Sequence, residues 1–225
     1  MTGPGSSGPG PLRCVIFDFD GVLVASNAAK REAFFQIFAP LGELDAELRA
    51  ALADPTCRDR FDVIARVLGS VPAERQKETS VAALADRYNE LCLRAQGHGP
   101  ECAGASRLLP RWADRFALCL NSATPEAPLQ DAVAARGWTH HFRGIYGRPH
   151  DKVANIERAL AATGTAVAEA VMVGDSRGDL QAAERAGCRF IGVRSDGNDF
   201  TGDVPLVSDL DELDRTLARS WQERR

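Results

Sequence analysis

Three short apolar runs, each ending in polar residues, constrain this chain most. Arg13-Cys14-Val15-Ile16-Phe17 ends at Asp18-Phe19-Asp20-Gly21, and Phe116 to Leu120 ends at Asn121-Ser122. Ala170 to Val173 ends at Gly174-Asp175-Ser176-Arg177-Gly178-Asp179. Runs this short, bounded by turn residues and rich in β-branched side chains, predict buried strands. Further strands are predicted at Ile145-Tyr146 and Phe190 to Val193, and a short run follows at Leu206-Val207. Between them, apolar spacing predicts helices over Glu126 to Arg136, Asp151 to Ala162 and Arg177 to Ala186, with a last one from Asp209 to Ser220. Gly137 and Gly187 close two of these. Strands alternating with helices imply an α/β fold, a doubly wound parallel sheet covered on both faces.

One block breaks the alternation. Asn27 is placed to cap a helix over Ala28 to Phe38, which stops before Pro40. From about Leu41 to Gln96 there is no strand pattern. Leu44, Leu48 and Leu52 are spaced for a helix; so are Phe61, Ile64, Ala65 and Leu68, then Leu84, Tyr88, Leu91 and Cys92. Gln96-Gly97-His98-Gly99-Pro100 reads as a flexible return linker. The expected organisation is therefore a tail over 1–11, a core over 12–25 and 104–225, and an inserted helical lid over 26–103.

Composition excludes several classes of function. Lys+Arg total 27 against Asp+Glu 31, a net charge of -4, with no basic run. That argues against nucleic-acid and anionic-membrane partners. No apolar run approaches the ~20 residues of a membrane span. The six cysteines form no C-x-x-C pair and no zinc spacing, and Cys14 and Cys119 fall inside strand runs as small buried side chains. This suits a reduced, cytoplasmic setting. The Gly/Ser/Pro-rich start has neither the apolar core of a signal peptide nor an arginine-rich helix, and reads as a disordered tail.

Ligands of open parallel sheets bind at the carboxyl ends of the strands, where the polar residues of this chain fall. Asp18, Asp20, Asp175 and Asp179 would repel one another there unless a cation held them, and hard oxygen ligands select magnesium. Magnesium in turn brings phosphate oxygens. Ser122 offers a hydroxyl, and the N–H groups after it, from Ala123 on, can face an oxyanion. Lys152 supplies a compact positive charge; only Lys30, Lys77 and Lys152 are lysines in the whole chain. In this arrangement Asp18 is the candidate nucleophile, and Asp20 the acid and base. The cation, Ser122 and Lys152 would offset charge on the transferring group.

Four segments, in order, resemble the motifs of the haloacid dehalogenase superfamily. Val15-Ile16-Phe17-Asp18-Phe19-Asp20-Gly21-Val22-Leu23 is similar to the first, and Leu118-Cys119-Leu120-Asn121-Ser122-Ala123-Thr124-Pro125 to the second. Lys152 matches the third, and Val171-Met172-Val173-Gly174-Asp175-Ser176-Arg177-Gly178-Asp179 the fourth. The resemblance covers roughly residues 13 to 193. It implies a Rossmann-like core with a C1-type helical cap, as in the subgroup of phosphoglycolate phosphatases and β-phosphoglucomutases. It also implies magnesium held by the Asp18 side chain, the Asp20 main-chain carbonyl and Asp175, with Asp179 in support. The expected activity is magnesium-dependent hydrolysis of a small phosphorylated metabolite through an aspartyl phosphate. A phosphomutase of the same subgroup and a catalytically silent binding protein are the alternatives. A phosphonatase would need a Schiff-base lysine in the cap, and neither Lys30 nor Lys77 lies in an active-site motif. A dehalogenase would not need Asp20, Asp175 and Asp179.

Each site residue also has an ordinary structural reading. Asp18 and Asp20 could only turn the chain. Ser122 could cap a helix with Pro125 in its first turn, with Asn121 or Thr124 sharing its place. Asp179 suits a first helical turn, where Lys152 is unfavourable. Arg58, opening a lid helix with Asp59 and Arg60, could grip a substrate anion or belong to a solvated face. His150, two residues before Lys152, reads as a loop histidine, and Trp112, Trp138 and Trp221 as packing residues.

Overall fold

The computed structural model describes residues 11–57, 59–76, 79–195, 200 and 203–222. The expected tail (all but Pro11), Arg58, Lys77 and the side chain of Trp221 lie outside the described residues. The chain divides into two compact units, one built from residues 1–25 and 100–225 and the other from 26–99.

The first unit is a six-stranded parallel sheet. In chain order its elements are β1 (Cys14–Phe17), then α5 (Ala105–Ala113), β2 (Ala117–Pro125), α6 (Glu126–Ala135), β3 (Gly144–Arg148), α7 (Lys152–Thr163), β4 (Ala170–Gly174), α8 (Arg177–Ala186), β5 (Arg189–Val193), β6 (Leu206–Val207) and α9 (Leu210–Gln222). The second unit, which follows β1, holds α1 (Ser26–Phe38), α2 (Asp45–Ala53), α3 (Arg60–Leu68) and α4 (Val81–His98). The strand order is β3-β2-β1-β4-β5-β6, with every pairing parallel.

Strand alternation sorts the core onto two faces. Val15, Phe17, Leu118, Leu120, Val171 and Val173 point to one face, where Leu108, Leu109 and Trp112 of α5, Leu129 and Val133 of α6, and Leu213 of α9 cover them. Cys14, Ile16, Cys119, Ala170 and Met172 point to the other, against Ile156 and Ala159 of α7 and Ala182 and Ala183 of α8. All four residues of β1 are fully buried between β2 and β4. Each large apolar side chain there contributes roughly 1.5–3 kcal/mol by leaving water. The doubly wound sheet is thus the one predicted.

Several boundaries differ from the sequence expectation. Helix α1 begins at Ser26, so Asn27 lies within it rather than capping it. Gln96, Gly97 and His98 are the last turn of α4, not a linker, and Gln96 is buried. Residues 100–103, expected in the lid, belong to the first unit: the Ala25 N–H donates to the Pro100 carbonyl and the Cys102 N–H to that of Leu23, each at 3.0 Å. Helix α5 has no counterpart in the sequence reading, because Pro110 sits inside it and its apolar stripe is short. In the helical unit, Phe34, Ile37, Phe38, Leu48, Ile64, Val67 and Leu84 form a separate core. Leu52 and Phe61, at helical spacing, are instead 38% and 44% exposed.

Candidate active site

The acids are placed by the ends of β1 and β4, adjacent strands at the centre of the sheet. The Asp18 N–H still donates to the Val173 carbonyl at 2.8 Å, so Asp18 is held in line with β1 as the strand ends. The chain then turns at Gly21, whose φ of +81° lies in the left-handed region that favours glycine. The Leu23 and Val24 N–H groups both return to the Phe19 carbonyl at 3.0 Å. Phe19, Val22 and Leu23 are fully buried and anchor this turn, leaving Asp18 5% and Asp20 8% exposed. The turn reading of these aspartates is therefore true of the backbone, yet it leaves both carboxylates buried, which a plain surface turn does not do.

On β4, Gly174 leads into α8 through Ser176. The Asp179 N–H donates to Ser176 Oγ (3.3 Å), while Ser176 Oγ and N–H donate to Asp179 Oδ2 (2.5 and 3.1 Å). This reciprocal cap fixes a carboxylate that is fully buried. Gly174 is needed there because a Cβ on it would lie 2.3 Å from Asp179 Cβ. Sequence reasoning assigned no part to Ser176, although a serine three residues before an acid at a helix start is the signal that could have found it.

Lys152 sits at the first turn of α7, where Asp151 caps the helix by accepting from the Ala154 N–H at 2.8 Å. Its Nζ lies 2.5 Å from Asp179 Oδ1 and 3.1 Å from Asp18 Oδ1. The Asn121 amide, fully buried, donates to the Lys152 carbonyl at 2.8 Å and so ties β2 to the start of α7. Ser122 is buried and does not cap α6; Pro125 occupies that position without a side-chain cap. Ser122 Oγ accepts from the Thr124 N–H at 3.1 Å, while Ala123 is exposed. Thr124 Oγ1 donates to Asp20 Oδ2 at 3.4 Å.

The structure therefore brings Asp18, Asp20, Lys152, Asp175 and Asp179 together, with Ser122 beside Thr124. One carboxylate oxygen from each of Asp18, Asp175 and Asp179 lies within 4.8 Å of the others. Burial, and then the charges of Asp179, Asp20 and Asp175, push Asp18 up to about 7 against the pull of Lys152. Burial pulls Lys152 down, but Asp18 and Asp179 outweigh it and hold the ammonium above its ordinary value. The thiol of Cys102 is raised to about 11, mainly by burial and then by Asp175, so it stays protonated there. His150 is exposed, as a loop residue. In the helical unit, Asp59 caps α3 by accepting from the Phe61 and Asp62 N–H groups. The Arg60 guanidinium lies 4.7 Å from the Phe61 ring centre.

The sequence that forms this sheet, with acids on its two central strand ends and a lysine beside them, also matches a known family over most of its length. Over residues 15–193 the chain belongs to the haloacid dehalogenase-like hydrolases. It is 28% identical over 217 residues to protein CbbY of Rhodobacter capsulatus, covering 88% of this chain and 94% of that protein. Its fold is similar to that of a haloacid dehalogenase-superfamily hydrolase from Geobacter sulfurreducens, with a TM-score of 0.71 at 18% identity over 94% of this chain and 99% of that one. It is also similar to a variant of CbbY from Rhodobacter sphaeroides in complex with xylulose 1,5-bisphosphate, with a TM-score of 0.66 at 23% identity over 90% and 96% of the two chains. No described helix is long and apolar enough to cross a membrane.

Proposed function

We propose that this protein is a magnesium-dependent phosphatase acting on a small phosphorylated metabolite, with Asp18 as nucleophile. The observation that carries the reading is the triad of buried oxygen donors on Asp18, Asp175 and Asp179, with Lys152 against two of them. The donors are all hard carboxylate oxygens, the set that suits magnesium. Asp18 and Asp175 would hold the cation directly, with the Asp20 carbonyl. Asp179, whose oxygens already accept from Lys152 and Ser176, would hold the assembly in place. When bound, magnesium would neutralise charge on the phosphate oxygens.

The chemistry then runs on this chain's own groups. The Asp18 carboxylate attacks phosphorus, the bond from phosphorus to the ester oxygen breaks, and the Asp20 carboxyl gives its proton to the departing alcohol. Asp20, now a carboxylate, takes a proton from water, whose oxygen attacks the aspartyl phosphate. The bond to Asp18 breaks and phosphate leaves. Lys152, Ser122 Oγ and the Ala123 N–H would bind the phosphate oxygens. The bisphosphate bound by the CbbY variant favours a phosphorylated sugar as the substrate class. Arg58, outside the described residues, is kept as a proposed substrate contact.

Phosphate release from a panel of small esters tests this, with magnesium and then with chelator. The expected result is release that requires the cation and is absent in Asp18→Asn. Release that persists in chelator, or phosphate passed to a second sugar hydroxyl instead of water, would overturn it.

A further inference from the structure

Thr124 could share the place of Ser122 by sequence, but the structure gives its hydroxyl another partner. The pairing of β2 with β3 shifts register between Asn121 and Pro125 and then resumes at Pro125 with Arg148. Such irregularities re-aim side chains at the ends of strands. Here the break leaves Thr124 Oγ1 3.4 Å from Asp20 Oδ2, across from the turn after β1. The segment is braced from three sides. The Thr124 N–H donates to Ser122 Oγ at 3.1 Å. The Thr124 carbonyl packs so closely on Gly147 that a Cβ there would lie 2.4 Å from it. Glu126, the next residue but one, accepts from the Gly147 N–H at 3.2 Å and from Arg158 Nη1 at 2.9 Å. A threonine on a strand held this way has little freedom to leave Asp20.

We propose that Thr124 is a positioning residue for Asp20: its hydroxyl, 3.4 Å from Oδ2, fixes how the carboxyl is turned toward the departing alcohol. A carboxyl group turns about its Cβ–Cγ bond, and a hydroxyl held against one of its oxygens restricts that turn. The inference rests on the reading of Asp20 as the group that protonates the departing alcohol. It adds the residue that holds that carboxyl in place.

The test is the dependence of leaving-group release on the leaving group, measured in single turnovers with magnesium. The probes are aryl phosphates running from nitro-substituted phenols to phenol, with benzyl phosphate as the alkyl end. Nitrophenolate departs without a proton, whereas benzyl alcohol needs one. Thr124→Val keeps the shape and removes the donor, so release from benzyl phosphate should fall about tenfold or more while nitrophenyl phosphate changes little. Thr124→Ser should restore benzyl release. Asp20→Asn should show the same selectivity in stronger form. Selectivity in Asp20→Asn but none in Thr124→Val, equal losses on all probes, or failure of serine to restore release would overturn the role of Thr124 and leave that of Asp20. No selectivity in Asp20→Asn would overturn both.

Discussion

As the proposed nucleophile, Asp18 must be ionised to attack phosphorus, yet its surroundings favour the proton. Burial and three neighbouring acids raise it to about 7, well above the usual carboxylate value, and Lys152 only partly compensates. The folded, cation-free protein therefore binds this proton more tightly than the unfolded chain does, between pH 4 and 7. Its stability contribution from Asp18 is present at low pH and is lost as pH rises towards 7. Asp18→Asn should accordingly abolish turnover while stabilising the cation-free protein at pH 8, by on the order of 2 kcal/mol, and should do little at pH 4. Chemical denaturation at the two pH values checks this, and a destabilised variant at pH 8 would contradict it. The cation competes with the same proton, so magnesium affinity should weaken as pH falls below about 7, measurable by titration calorimetry. Lys152 faces the opposite balance and stays charged. Lys152→Ala should lower turnover roughly 100- to 1000-fold and weaken phosphate binding, and unchanged kinetics would place it outside the site.

Among the elements, the β4–α8 turn holds the site with the least tolerance. Gly174 has no room for a side chain, since the Asp179 Cβ lies where an alanine methyl would go. Gly174→Ala should displace Asp179 from Lys152, reduce magnesium affinity and destabilise the fold by about 1–3 kcal/mol. Calorimetric titration and thermal melting measure the two effects, and unchanged values in both would contradict the packing argument. What was legible in the sequence follows from the same distinction between pattern and contact. The strands were legible because β1, β4 and the part of β2 up to Leu120 are covered on both faces and are apolar there. Asp18, Asp20 and Asp175 were legible because polar residues at the ends of such strands have no packing reason to be there. Helix α5 was not, because Pro110 interrupts its pattern. The end of α4 was not, because Gly97 and Gly99 look like a linker although Gln96 is buried. The partnership of Thr124 with Asp20 depends on a register shift, and no spacing in the sequence encodes one.

At the scale of the molecule, each of the two units has its own apolar core, and Asp18, Asp20, Asp175, Asp179 and Lys152 all belong to the first. Magnesium should therefore slow hydrogen exchange around β1, β4 and the start of α8, and leave the amides of α2 and α3 unchanged. At a hundredfold excess over its dissociation constant it should stabilise the first unit by about 2.7 kcal/mol. The central claim is that a phosphoryl group passes through Asp18, and rapid acid quench during turnover, followed by mass spectrometry of the digested protein, tests it most directly. With nitrophenyl phosphate, whose leaving group needs no proton, the account predicts a phosphoryl group on the peptide carrying Asp18, accumulating further when Asp20 is replaced by asparagine and absent from Asp18→Asn. Phosphate released at the normal rate with no such adduct in either protein would contradict it.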